Sequence, residues 1–180
     1  MLALSRFIDR FNEAVGRSVA WLVLAAVLVS AGNAVVRKLF NTSSNAFLEV
    51  QWYLFSAIFL LAAAQTLLRQ EHVRIDLLSA RLSARSRAWI DVFGIVCFLF
   101  PLVAVVIDLS WPLLARAYLS GEMSGNAGGL IRWPVLALLP LGFGLLGVQG
   151  VSELIKRVAF LRGDLPESPV RAPPNETGSS

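Results

Sequence analysis

The sequence predicts an all-α integral membrane protein with four transmembrane helices, and three observations support this fold class. Of the 180 residues, 56% are apolar and only 16% are charged, which is too apolar for a soluble domain of this length. Four windows of 16 to 20 residues carry no charged side chain, while the basic residues collect between them. A 19-residue helix is about 28 Å long, close to the thickness of a hydrocarbon core. Membrane β-strands would be shorter and would alternate in polarity.

The first element is predicted to be an interfacial amphipathic helix over residues 1–17. Its apolar residues recur at helical spacing: Leu4, Phe7, Ile8, Phe11 and Val15. Such a helix would lie along the cytoplasmic membrane surface with these side chains in the acyl boundary, and docking on a partner helix is the alternative. The first span follows over about residues 18–36. A cleaved signal peptide would have a shorter leader without two acids.

The second and third spans are predicted over about residues 50–68 and 90–111. In the basic loop between them, Asp76 and Ser83 each precede a helix-forming stretch, so both are predicted to be N-caps. Asp108 lies near the end of the third span, where the pair Trp111-Pro112 predicts that the helix ends.

The fourth span is predicted over about residues 133–152, after a loop over residues 120–132 that is expected to be irregular because it is rich in glycine. Glycines within the span predict close packing against another helix: Gly142, Gly144, Gly147 and Gly150. The four spans together form a membrane domain over residues 18–161. The proline-rich residues 162–180 are predicted to be a disordered cytoplasmic tail.

The distribution of basic residues predicts that both termini lie in the cytoplasm. The segment before the first span holds three Lys or Arg residues, the second loop five and the segment after the fourth span four (Lys156, Arg157, Arg162 and Arg171), whereas the other two loops hold two each. Cytoplasmic segments retain an excess of Lys and Arg, so twelve against four predicts an N-in/C-in topology. The basic residues of the cytoplasmic segments account for most of the net charge of +4, so this charge does not support nucleic-acid binding. Membrane lipid is the expected partner, and no nucleic acid is expected.

Few residues are candidates for chemistry. Glu49 lies at the outer end of the second span, where it either complements the helix dipole or makes an interfacial contact. His72 lies four residues before Asp76, but the cap role explains the acid, and a single histidine forms no metal site alone. The sequence has no Cys-x-x-Cys pair and no phosphate-binding glycine loop, so we expect no enzyme, cofactor or metal. Three amides are candidates for hydrogen bonds between helices: Asn33, Gln65 and Gln149.

Several stretches resemble a known family. The second span begins with Glu49 and the run Gln51-Trp52-Tyr53-Leu54-Phe55, and the loop after it contains His72-Val73-Arg74-Ile75-Asp76, which leads into Arg87-Ala88-Trp89-Ile90-Asp91. In these stretches the chain resembles the DctQ-type small membrane subunit of tripartite ATP-independent periplasmic (TRAP) transporters. It is similar to the mannitol or chloroaromatic-compound branch in Ser124-Gly125-Asn126-Ala127-Gly128-Gly129-Leu130, followed by Pro140-Leu141-Gly142-Phe143 and Gln149-Gly150.

The resemblance implies a bacterial inner-membrane complex. In it, a periplasmic substrate-binding protein delivers an organic acid to a large membrane subunit that a sodium gradient drives. The small subunit would be a scaffold for the large one, and Glu49, His72 and Asp76 would be structural or interface residues. The alternative is an independent small multidrug-type four-helix exporter. Such an exporter requires an acid in the first span, and residues 18–36 contain none.

Overall fold

Helices make up almost all of the described part of the chain. The structure is a computed structural model, and it describes residues 2–40, 45–69, 83–126 and 128–164. In chain order its elements are α1 (Leu2–Phe40), α2 (Asn45–Arg69), α3 (Ala84–Gly94), a π-helical turn (Ile95–Leu99), α4 (Phe100–Ser120) and α5 (Trp133–Arg162). Since α3, the π-helical turn and α4 follow one another without a gap, we refer to them together as the 84–120 rod.

Four helical units are long and apolar enough to cross a membrane: α1, α2, the 84–120 rod and α5. Each unit contains one of the predicted spans, so the prediction of an all-α protein with four long apolar helices is confirmed. The predicted N-cap at Ser83 is also confirmed, because its Oγ accepts a hydrogen bond from the backbone N–H of Ser86 at 3.2 Å. The orientation of the helices in the membrane stays a prediction.

Helix α1 differs from the prediction because it is unbroken. A boundary was expected between residues 1–17 and the first span, but the 39-residue helix continues through it and is about 58 Å long. No proline lies between residues 2 and 40, so nothing in the backbone requires a turn there. The buried positions form one stripe along the helix: Ser5, Ile8, Asn12, Gly16, Val19 and Ala26. Phe7 and Phe11 lie outside this stripe and are exposed.

Two prolines lie within the 84–120 rod without ending it. Pro101 has no N–H to donate, and its ring crowds the preceding turn; the wider π-helical turn just before α4 accommodates that ring. The helix also continues through Pro112 to Ser120, so the prediction that it ends at Trp111-Pro112 is wrong. The rod ends where Gly121 adopts a left-handed backbone with φ of 60°, and its N–H bonds to the carbonyl of Ala117.

Helix α5 is at the centre of the fold. It packs against α1, α2 and the 84–120 rod, and the rod packs chiefly against α5. A Cβ added at Gly142 would lie 2.8 Å from the backbone oxygen of Leu60 on α2, so these two helices approach closely. The predicted packing role is confirmed for three of the four glycines: Gly142, Gly147 and Gly150. At Gly144 an added Cβ would meet no atom within 4 Å.

Candidate functional site

Of the three predicted site residues, only Glu49 lies within the described residues; His72 and Asp76 lie outside them. Glu49 is near the start of α2 and is only 8% exposed. Its carboxylate accepts hydrogen bonds from the hydroxyl of Ser124, from Nδ2 of Asn126 at 2.8 Å and from the backbone N–H of Leu130 at 2.6 Å. All three donors belong to residues 121–132, the segment between α4 and α5 that we call the connecting loop.

The connecting loop folds back on itself and so brings its donors to one carboxylate. Met123 and Ile131 form an antiparallel bridge, and the backbone N–H of Ser124 donates to the carbonyl of Leu130 at 2.8 Å. Gly128 has φ of 71°, a conformation that glycine adopts at little cost, so the expectation of special turns is confirmed. The hydroxyl of Tyr53 on α2 also donates to the carbonyl of Ile131 at 3.0 Å.

These contacts assign Glu49 a role in joining α2 to the connecting loop. Both of its carboxylate oxygens accept hydrogen bonds, and a buried carboxylate is stable only with such partners. The sequence singled out Glu49 and the stretch from Ser124 to Leu130 separately, and the structure brings them together. Asp108, the other acid considered, is exposed on α4 and does not take part.

A second polar cluster lies where the first half of α1, the second half of α5 and α3 meet. We call it the polar network, and it consists of Ser5, Asp9, Asn12, Asp91, Gln149, Ser152, Glu153, Lys156 and Arg157. Its members on α1 and on α5 recur three or four residues apart, so each helix presents them on one face. The network is therefore a continuous polar seam between α1, α3 and α5.

The neutral members of the polar network join α1 to α5. Asn12 Nδ2 donates to Gln149 Oε1 at 2.8 Å, and both side chains are buried. The hydroxyl of Ser152 donates to Asp9 Oδ1 at 2.7 Å and also lies 2.7 Å from the hydroxyl of Ser5. Hydrogen bonds of this kind replace the apolar driving force that is missing between helices in lipid.

The charged members pair with one another. Arg157 is 2% exposed; its guanidinium pairs with Glu153 on the same helix and donates from Nε to Asp91 Oδ2 on α3 at 2.9 Å. Lys156 pairs with Glu153 and, at 3.2 Å, with Asp9 Oδ2 on α1. Buried charges persist only where partners compensate them. Through these pairs α5 holds α1 on one side and α3 on the other.

Sequence reasoning found only part of this network. Gln149 was named as a hydrogen-bonding amide, and that prediction is confirmed. The charged members are harder to find: Asp9 lies within the predicted interfacial helix, and Lys156 and Arg157 are among the basic residues after the fourth span that predict the topology. The spacing of Ser5, Asp9 and Asn12 along one helix face was a usable signal, but their partners lie 137 to 147 residues away along the chain.

The other two predicted amides, Gln65 and Asn33, lie in different surroundings. Gln65 lies directly over Gly16 of α1, because a Cβ added at Gly16 would come within 2.1 Å of its side chain. Asn33 lines a groove between α1 and α2. Among the described residues, no three His, Cys, Asp or Glu side chains lie close enough together to hold a metal ion.

Comparison with known families agrees with this architecture. The family model of the DctQ component of tripartite ATP-independent periplasmic transporters matches residues 26–160, which include Glu49, the connecting loop and the part of the polar network on α3 and α5. Neither a curated protein nor a solved structure matches the chain. The match covers well over half of the chain, and nothing favours the exporter alternative. The chain therefore belongs to the family of DctQ components of TRAP transporters.

Proposed function

We propose that this subunit is a fixed scaffold for the large membrane subunit of a TRAP transporter during sodium-gradient-driven, binding-protein-dependent uptake of an organic acid. The observation that carries the proposal is the mutual pairing of the charged groups in the polar network. A coupled carrier binds ions and substrate near the membrane midplane, with ionisable or backbone groups that are free to exchange partners. Here the charges hold three helices together instead, as a rigid support requires.

The exposed surface supports the same role. Large apolar side chains cover the outside of α1 and of the 84–120 rod, among them Phe7, Trp21, Phe93, Phe98 and Leu109. Soluble proteins rarely expose so much contiguous apolar surface. We assign this surface to membrane lipid and to the large membrane subunit, and we place the substrate-binding protein on the periplasmic side of the same complex.

We place the subunit in the bacterial inner membrane as a multi-pass protein with both termini in the cytoplasm, because of the excess of basic residues in the predicted cytoplasmic segments. The exposed Phe7 and Phe11 then contact lipid or a partner near the cytoplasmic surface. Glu49, His72 and Asp76 are proposed as structural or interface residues. The resemblance in the connecting loop supports the mannitol or chloroaromatic-compound branch.

Reconstitution into liposomes tests the scaffold role. The subunit is reconstituted alone, with the large membrane subunit, and with both the large subunit and the binding protein, and a fourth sample holds the other two proteins without it. Uptake of a labelled organic acid is followed under an imposed sodium gradient. We expect uptake only when all three proteins are present. Gradient-dependent uptake by this subunit alone would overturn the proposal, as would equal uptake by the other two proteins in its absence.

A further inference from the structure

The end of the molecule that carries the connecting loop also carries a polar groove. It lies between the last part of α1 and the first part of α2 and has a volume of about 550 Å³. Its polar lining consists of Ser30, Asn33, Arg37, Lys38 and Gln51. Two cations and two amides therefore face one space, which is a donor-rich composition for a membrane helix pair.

These donors have no partners within the described residues. None of the five side chains forms a hydrogen bond or an ion pair there. Two acids at this end of the molecule are already engaged, because Glu49 is bonded to the connecting loop and Glu122 pairs with Arg132. The negative end of the α1 dipole favours cations at its last turn, but it does not explain the amides that share the groove.

The position of the groove indicates where its ligand comes from. The groove lies where the apolar stretch of α1 ends and that of α2 begins, and we assign this level to the membrane boundary. Trp52, next to Gln51, exposes 71% of its surface at this level, as tryptophans in the headgroup layer do. The anion that is most concentrated in that layer is the phosphate of the phospholipids.

We propose that the groove between α1 and α2 binds the phosphate of an anionic phospholipid, with Arg37 and Lys38 as its cationic ligands and with Asn33 and Gln51 as amide donors. A guanidinium fork and an ammonium group are the side chains that proteins use most for phosphate. The site goes beyond the scaffold role, because it fixes the height of the subunit in the leaflet whatever the complex transports.

The test is native mass spectrometry of the full chain in detergent, titrated with phosphatidylglycerol or with phosphatidylcholine. Arg37→Gln and Lys38→Gln are compared with Arg116→Gln, which removes the same charge from an exposed position at the same end of the molecule. A basic residue near an anionic lipid surface contributes enough that each groove variant should bind phosphatidylglycerol about fivefold more weakly. Arg37→Lys should retain most of the affinity, and circular dichroism checks that all variants are folded.

The expected result is preference for phosphatidylglycerol over phosphatidylcholine, lost in the two groove variants and kept in Arg116→Gln. Equal loss in Arg116→Gln would overturn the proposal, because the attraction would then be a general charge effect. Unchanged binding in the folded groove variants would overturn it as well. Displacement of the lipid by an equal concentration of inorganic phosphate would show a site for a soluble anion, against the lipid assignment.

Discussion

Arg157 donates to carboxylates on two helices while its own side chain is almost completely removed from solvent. Arg157→Met leaves Glu153 and Asp91 without this cation, and breaking a buried ion pair costs about 3–5 kcal/mol. We expect a decrease of that order in the free energy of unfolding. The measurement is unfolding in mixed micelles by increasing amounts of a denaturing detergent, followed by tryptophan fluorescence.

The matched control is Arg162→Met, in the exposed last turn of the same helix. Surface substitutions of this kind change the free energy of unfolding by no more than about 0.5 kcal/mol. Equal effects of the two substitutions would contradict a stabilising role for the polar network.

Glu49 offers a second prediction for a single residue, because its carboxylate accepts the backbone N–H of Leu130. Glu49→Gln would give this side chain an amide group that cannot accept from all three loop donors, so we expect faster hydrogen exchange in the connecting loop, most of all at Leu130. Glu122→Gln is the control, since Glu122 belongs to the same loop but forms an exposed ion pair with Arg132. Unchanged exchange at Leu130 in Glu49→Gln would show that the carboxylate does not hold the loop.

At the scale of the helices, the contact between α2 and α5 depends on the missing side chain of Gly142. A Cβ there would lie 2.8 Å from a backbone oxygen of Leu60, which cannot rotate away. We expect Gly142→Ala to lower the free energy of unfolding by about 1–3 kcal/mol, the usual cost of overpacking. Thermal unfolding of the purified subunit measures the effect.

Gly144→Ala is the matched control because it lies on the same helix with open space around it. There the better helix propensity of alanine should leave stability unchanged or raise it by up to about 1 kcal/mol. A loss at Gly144 as large as at Gly142 would mean that flexibility of α5, and not close packing, explains both glycines.

The helices could be predicted from the sequence more accurately than their ends. Long uncharged windows identify a membrane helix because the bilayer requires about 20 apolar residues, whatever their partners. The ends are less predictable because a local pattern does not show the contacts made elsewhere in the chain. The charges before Ser18 predict a separate surface helix, yet Asp9 accepts a hydrogen bond from Ser152 on α5. Pro112 predicts a helix end, but the helix continues to Ser120 and ends at Gly121.

The candidate site was predictable only in part, for a related reason. A carboxylate at a helix end such as Glu49 is visible in the sequence, but its donors lie 75 to 81 residues away. Pairs such as Asp91 with Arg157 leave no local pattern, since each residue alone is also consistent with a solvated helix face. Contacts of this kind follow from the three-dimensional arrangement of helices.

At the scale of the whole molecule, the arrangement of helices shows which segments lie at the same end, so the side of the membrane that each end faces can be tested. The first half of α1 contacts the second half of α5, so the two lie at the same end. Reporters fused after Arg81 and in the C-terminal tail should report the cytoplasm, and one fused near Gly125 should report the periplasm. A cytoplasmic signal at Gly125 would exclude the proposed four-span topology.

The central position of α5 also bears on how the chain is made. Translation produces α1, α2 and the 84–120 rod first, and the helix that all three pack against emerges after them. Until then, Asp9 and Asn12 lack the α5 side chains that pair with them in the finished fold. An unpaired polar side chain in a membrane helix is costly. We therefore expect a chain that stalls before residue 133 to be less stable in the membrane than the finished subunit.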